Sequence, residues 1–415
     1  MSFLKKISIL SMGTGIAFLI PFAVSPILTR LYSGEQFGTN AIFLASAGLL
    51  SIVVNGKYDV AIIKAKTLNK SYDFFMLSNI LTVFFMTILF LALIVLFCLG
   101  FFNLKSEFIV FLTLPVLVVL INLKKGLINL LNKTEEYYEI SKLTLFQSIY
   151  QAGSRLFFVK TVFISDGLIL GVISGAILNS ISTIRKSLNF HKKIGTALSQ
   201  KYLRKLKILA SSNLSNPKYL IPSELINALA LQTPLWFISI FYGLKEAGYL
   251  SIALTMVQAP FLVAGDAIGR VIRQEISEIT ISGNSPFNHL VKRQVMIGLV
   301  SIVPVVVFYL YSPQVFQFIF GADWSTAGSY LQILVFYIFC QFFQKITSYV
   351  YILGNKQSEI LVFQIIYLIL SISSFAIPYF LNYGIYDSLK IYAILGGSLY
   401  LMMFFRSLQI SKKII

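Results

Sequence analysis

Two short stretches decide how this chain is read: LYSGEQFG, Leu31–Gly38, and FYGLKEAG, Phe241–Gly248, which lie 210 positions apart. Each combines an aromatic, a glycine and a charged residue, closes on glycine and is followed by a long apolar run. The shift divides the chain into two comparable halves. Apolar runs long enough to cross about 30 Å of hydrocarbon fall near 7–29, 37–56, 74–101, 107–123, 141–163 and 167–184 in the first half. In the second they fall near 219–241, 248–269, 294–311, 327–352, 359–380 and 389–410. The runs are continuously apolar rather than alternating, which predicts helices and excludes a membrane β-barrel. Six spans per half give the halves one orientation, related by an axis along the membrane normal. The expectation is an all-α integral membrane protein of about 12 transmembrane helices in two six-helix lobes: 1–184, a connecting segment 185–218, and 219–415.

Composition agrees. Of the 415 residues 57% are hydrophobic and only 12% charged, too apolar for a soluble domain. The first run is long and lacks a small-residue cleavage site, so it reads as the first span rather than a signal peptide. The net charge of +18 comes with no nucleic-acid recognition motif, so nucleic acid is excluded as a partner. Cys98 and Cys340 sit inside apolar runs and read as small hydrophobes. His191 and His289 are far apart, with no metal-ligand spacing. Neither a metal nor a cofactor is expected.

Charge placement sets the orientation. Lys5, Lys6, Lys57, Lys64, Lys66, Lys70, the connection after the span ending at 123 (Lys124, Lys125, Lys133, Lys142), the 185–218 cluster, Arg270, Arg273, Lys292, Arg293, Lys356, Arg406, Lys412 and Lys413 share one side, and only Arg30, Lys105, Lys160, Lys245 and Lys390 lie near the other. Both termini are therefore expected in the cytoplasm, and Arg30 at the outer end of the first span, against the topology rule. Within 185–218, Tyr202, Leu203, Leu206 and Leu209 recur at helical spacing among Lys201, Arg204, Lys205 and Lys207. That pattern suits a basic amphipathic helix on an anionic leaflet or a plain solvated linker.

Ionisable residues inside spans are expensive and functional by default. The run at 141–163 carries Thr144, Gln147, Ser148, Gln151, Ser154 and Arg155 along one helical face. The run at 327–352 carries Tyr337, Gln341, Gln344, Lys345 and Ser348. Two polar stripes ending in a cation, one per lobe, predict a central cationic chamber suited to phosphate or pyrophosphate. The alternatives are polar glue between packed helices and, for Lys345, snorkelling to the interface. The run at 248–269 and its continuation present Thr255, Gln258, Asp266, Arg270 and Arg273 near one face, and Asp266 and Arg270 are four apart, as a helix ion pair requires. Asp59, in KYDVAII at the end of the second span, Glu224 and Asp266 are the candidate carboxylates for a coupling cation.

The run PILTRLYSGEQFG (Pro26–Gly38) with KYDVAII (Lys57–Ile63) resembles the N-terminal signature of Wzx-type oligosaccharide flippases. These form the polysaccharide-transporter branch of the superfamily that includes multidrug and toxin extrusion proteins. FYGLKEAGYLSIALTMVQAP (Phe241–Pro260) and FGADWSTAGSYLQIL (Phe320–Leu334) are similar to later pieces of the same family. The resemblance implies a V-shaped pair of lobes around a central cationic cavity. It implies an undecaprenyl-pyrophosphate-linked oligosaccharide, such as an O-antigen repeat unit, moved to the periplasmic leaflet of a bacterial inner membrane by alternating access with H⁺ or Na⁺ coupling. The polymerase and chain-length proteins of the pathway would be partners. Arg30 and Lys57–Asp59 match family positions; Arg155 and Lys345 rest on helical spacing alone. A cationic-drug exporter would want acidic cavity walls. A polymerase or ligase would want a large outer loop, and the longest here, about 312–326, has only Asp323 as a charge. A transporter rather than an enzyme is expected.

Overall fold

The computed structural model describes residues 3–100, 105–159, 166–194 and 199–414, with the side chains of 3–13, 105–110, 191–194, 259, 262 and 266 outside the description. The described chain is helical, without strands. The first half contains α1 (Phe3–Leu31), α2 (Gly34–Val54), α3 (Tyr58–Lys64), α4 (Leu68–Cys98), α5 (Lys105–Lys133), α6 (Tyr137–Phe158), α7 (Gly167–Ile194) and α8 (Gln200–Ser211). The second contains α9 (Ile221–Phe241), α10 (Leu244–Ala253), α11 (Ala259–Ile281), α12 (Phe287–Phe320), α13 (Ser325–Thr347), α14 (Val350–Leu353), α15 (Gln357–Phe380) and α16 (Ile385–Lys413). A π-helical turn, Leu254–Gln258, joins α10 to α11. It lies beside Pro260, whose ring cannot sit against a normal i−4 carbonyl.

Eleven stretches among the described residues are long and apolar enough to cross a membrane. The expected span at 141–163 is not among them, because α6 carries the polar stripe. Its 22 residues still reach about 33 Å, and it packs between α1 and α7. Two compact units form: Met1–Tyr32 with Ile42–Leu225, and Ser33–Ala41 with Ile226–Ile415. The segment 185–218, read as a connection, belongs to the first unit. Each unit buries its own apolar clusters, such as Phe43, Leu117 and Val172 and Ile276, Leu290 and Phe342. Leu91 of α4 and Val300 of α12, by contrast, are exposed, as hydrocarbon surroundings permit.

The repeated stretch is a structural repeat. α2 begins at Gly34 and α10 at Leu244, the positions equated by the 210-residue shift. Ser33 caps α2 reciprocally: its backbone N–H donates to Gln36 Oε1 at 2.8 Å, and Gln36 N–H to Ser33 Oγ at 3.4 Å. Within the second unit the two helix starts cross. A Cβ on Gly38 would lie 1.8 Å from Leu244 O, and one on Gly248 would lie 1.8 Å from Gly34 O. The reciprocal contact, between equated residues, has the two-fold character of an internal repeat. Only glycine allows backbones so close.

The basic helix α8 turns its apolar face onto protein, not lipid. Tyr202 and Leu206 join Tyr58, Tyr72 and Phe74 in one buried cluster, while Leu203 is exposed. Tyr202 Oη donates to Asp73 Oδ1 at 3.0 Å and Lys205 Nζ lies 2.5 Å from Asp73 Oδ2. Burial, then the Asp73 carboxylate, holds the Tyr202 phenol above its ordinary pKa. A buried acid in α4 thus fixes the helix, which spacing alone could not reveal.

Candidate functional site

The α6 stripe resolves into two kinds of residue. Thr144 and Ser148 donate to the Ile140 and Thr144 carbonyls of their own helix, at 2.8 and 3.3 Å, and are satisfied locally. Gln147, Gln151 and Arg155 are tied to neighbouring helices. α7 offers Gly171 and Gly175 to this face: a Cβ on Gly171 would lie 2.8 Å from Arg155 Cα, and one on Gly175 would lie 2.7 Å from Gln151 Cα. The α7 glycines therefore seat the α6 backbone directly. At the end of the stripe, Tyr32 Oη donates to the Arg155 carbonyl at 2.7 Å. The Arg155 Nε is buried with no hydrogen-bond partner.

Lys124 of α5 joins this face by donating to Gln147 Oε1. The two line a cavity of about 20 Å³ with Asn179, Ser180 and Thr183 of α7, room for about one water. The Asn179 Oδ1 is buried and unpartnered. The sequence reading placed Lys124 in an inner connection beyond a span ending at 123. α5 instead continues to Lys133, because Leu127, Leu130 and Leu131 extend its buried face. That repeat beyond Lys124 was the available signal.

A second group surrounds the turn into α3. Asn55 Oδ1 accepts from Lys57 N–H at 2.8 Å, and Lys57, fully buried, holds a left-handed φ of 56°. Its ammonium pairs with Glu224. Asp59, 2% exposed, has Lys125 Nζ at 2.9 Å from its Oδ2. The structure therefore brings Asp59 and Glu224, both expected to be coupling carboxylates, into one end of the first unit, each opposite a lysine. Removing the acid from a buried lysine costs about 3–5 kcal/mol, less here because Glu224 is half exposed.

In the second unit Tyr337 and Gln341 enter a closed network. Gln258 Nε2 donates to Gln341 Oε1 at 2.6 Å, and Gln341 Nε2 donates to Tyr337 Oη and Tyr400 Oη at 3.3 and 3.2 Å. Tyr337 Oη lies 2.7 Å from Tyr367 Oη, which bonds Tyr392. Tyr337 is 1% exposed and Gln341 5%. These expected cavity residues thus hold α13, α15 and α16 together from inside. Gln344 is also buried, and Lys345 Cγ lies 3.5 Å from the Cβ position of Gly265 on α11. α6 is the fifth long helix of its half and α13 the fourth of its own, so the two stripes are not repeat counterparts. Arg30 and Arg270 are exposed at the end of α1 and on α11. Arg273 lies over Tyr349 at 4.7 Å. Asp266 lies on α11 with its side chain outside the described residues. The Glu275–His289–Arg293 cluster, with Arg293 Nη2 2.6 Å from Glu275 Oε1, was not anticipated, since its members come from different helices.

Comparison with known proteins places this arrangement. A family model described as polysaccharide biosynthesis protein matches residues 27–329. The chain belongs to this family. The matched region includes Arg30, Lys57–Asp59, Arg155, Glu224, Asp266 and Arg270; Lys345 lies beyond it. No curated protein matches the chain. Among solved structures, the chain is similar to an inward-facing multidrug resistance MATE family transporter of the MOP superfamily. The identity is 15%, with 98% of each chain covered and a TM-score of 0.68. An outward-facing MATE family transporter of that superfamily matches at 14% identity, covering 98% of this chain and 96% of that one, TM-score 0.62. A MOP superfamily transporter from Pyrococcus furiosus, described as having a binding pocket of reverse polarity, matches at 15%, covering 98% and 96%, TM-score 0.60. With eleven helices among the described residues long and apolar enough to cross a membrane, the chain is a multi-pass membrane protein with the fold of MOP superfamily transporters.

Proposed function

We propose that this protein is a flippase that moves an undecaprenyl-pyrophosphate-linked oligosaccharide, of the O-antigen repeat-unit type, from the cytoplasmic to the periplasmic leaflet of a bacterial inner membrane. Membership in a polysaccharide biosynthesis family supports the sugar class, and the transporter fold supports movement rather than chemistry. The observation that carries the reading is Arg155: a guanidinium in a membrane helix, its Nε buried and without a hydrogen-bond partner, next to Gln151 and one stripe from Lys124 and Gln147. A buried guanidinium N–H without an acceptor is costly unless an anion meets the half-buried side chain during the cycle. A pyrophosphate matches guanidinium geometry, and glutamines match sugar hydroxyls.

In this reading Arg155 and Lys124 meet the phosphates during passage and Arg30 meets them at the outer end of α1; Arg270 and Lys345 are the candidate cations of the second unit. Alternating access carries the head group while the polyprenyl chain stays in lipid, since each unsatisfied polar group in hydrocarbon costs several kcal/mol. Coupling to H⁺ or Na⁺ falls to Asp59, Glu224 and Asp266, with the lysines opposite the first two competing for the carboxylates. Both termini lie in the cytoplasm, and the pathway's polymerase and chain-length proteins receive the product. The related cationic-drug exporters are the second reading, and Arg155 and Lys124 disfavour a cationic cargo. The test is deletion in the native bacterium with analysis of lipid-linked intermediates. Complete repeat units trapped on the cytoplasmic leaflet, released by wild type, support the proposal. Units that reach the periplasm unpolymerised refute it in favour of a membrane enzyme.

A further inference from the structure

α12 is long and only lightly packed on its lipid side, and a groove of about 440 Å³ runs along it against α13 and α16. Leu299, Ile302, Phe339, Phe343, Leu401 and Phe404 make its walls. Val295 and Leu299, more than half exposed, mark its open side. From Val291 to Ile302 it is about 17 Å long. One residue in it does not belong to an apolar wall. Gln294 is 3% exposed, and both its Oε1 and its Nε2 are buried without hydrogen-bond partners. An amide left this way costs about 1–3 kcal/mol. Leucine would fill the same space at no such cost.

The surroundings say what the amide faces. Gln294 lies two turns into α12, at the level of exposed Lys292, which is on another side of the helix. Lys412 Nζ sits over the Phe287 ring at 4.4 Å, and Ser285 Oγ donates to Ser411 O at 3.0 Å, so the end of α16 is tied to the start of α12. The exposed ammonium groups of Lys292, Lys412 and Lys413 thus cluster at this end of the groove. The nearby acids are committed elsewhere, Glu275 to Arg293 and His289 and Glu359 to Arg406. A second apolar groove, between α11 and α12, ends in the closed Glu275–Arg293 pair, and its polar groups are satisfied. The α12–α13–α16 groove alone of these two combines an orphan amide with a cationic rim.

We propose that this groove seats the isoprenoid chain of a polyprenyl diphosphate, its phosphate oxygens accepting from the Gln294 amide and the rim lysines. The cationic rim favours a diphosphate, whose negative charge exceeds the single charge of a phosphodiester headgroup. The inference rests on the flippase reading and extends it by giving the carrier chain a protein surface.

The test uses the full-length protein in vesicles of phosphatidylethanolamine and phosphatidylglycerol, with a polyprenyl diphosphate carrying a diazirine in its chain. Labelling is expected on the α13 and α16 segments that line the groove and is displaced by unlabelled polyprenyl diphosphate. Gln294→Leu should weaken it about tenfold, and Leu299→Trp, at a lipid-exposed position, should abolish it by filling the groove. Labelling unchanged in both variants overturns the proposal. So does a diazirine-bearing phosphatidylglycerol that labels the groove and is not displaced by the diphosphate, which marks ordinary boundary lipid. If Gln294→Leu does not fold, Leu299→Trp and the displacement arm decide. An unlabelled groove together with trapped intermediates in the deletion strain removes this inference and leaves the flippase reading; normal export in the deletion strain removes the flippase reading itself.

Discussion

The polar stripes of α6 and α13 look alike in the sequence and differ in the fold. On α13, Tyr337 and Gln341 find partners in Gln258, Tyr367, Tyr392 and Tyr400, and the network is neutral and closed. On α6, the stripe ends in a guanidinium whose Nε has no partner, and about two turns earlier Gln147 lines a cavity where Asn179 Oδ1 is also unpartnered. A wheel diagram scores both as polar faces. What separates them is satisfaction: a completed network contributes rigidity, whereas an incomplete one retains the capacity to bind. Of the two stripes, the one on α6 thus keeps an unfilled donor, and the one on α13 is the more completely satisfied.

The comparison can be broken most sharply at Arg155. Replacement by Met is expected to reduce leaflet exposure of the lipid-linked sugar by about a hundredfold, the scale of a lost charge-assisted contact of about 3 kcal/mol. Its melting temperature in detergent should stay within a few degrees of wild type. Arg155→Lys should restore only part of the transport, since a point charge replaces a fork. A Met variant that transports normally would make the α6 stripe another piece of glue.

The glycine seats give the next effect. Gly171 faces the Arg155 backbone, at 2.8 Å from a Cβ, whereas Gly396 faces only side-chain atoms, the Tyr337 ring at 3.1 Å. Gly171→Ala should therefore cost about 2–3 kcal/mol, in the range of overpacking, and Gly396→Ala about 1 kcal/mol or less. Thermal denaturation of the two variants side by side checks the order; a reversal would mean that α7 shifts more easily than α16.

Smaller still is Tyr367→Phe, which removes the hydroxyl between Tyr337 and Tyr392. About 1 kcal/mol of stability should be lost with transport unchanged, read by melting and by the same leaflet assay. Loss of transport would move the tyrosine network into the pathway. The least effect is expected from Thr144→Val, whose hydroxyl bonds only its own helix: stability should change by no more than about 0.5 kcal/mol and flipping not at all.

Much was legible without coordinates. Continuous apolar runs can only be helices in a bilayer, because hydrocarbon leaves the backbone no partner but itself. The 210-residue register was visible in eight residues and reappears as the α2–α10 crossing, since a close approach demands glycine wherever it occurs. Arg155 stood out because a cation in an apolar run is rare. Lys124 did not, because two adjacent lysines look like a loop until the leucines beyond them are seen to stay buried.

Composition, periodicity and charge placement thus determined the class, the helices and the expected orientation, all of which depend on residues near one another in the chain and on the solvent. Tertiary structure alone decided which polar atoms are satisfied. Gln341 meets Tyr400, Asp73 meets Tyr202, Lys57 meets Glu224, and Gln294 and the Arg155 Nε meet none among the described residues. A hydrogen bond is a statement about a few tenths of an ångström between residues distant in sequence, and the order of residues along a chain does not contain it.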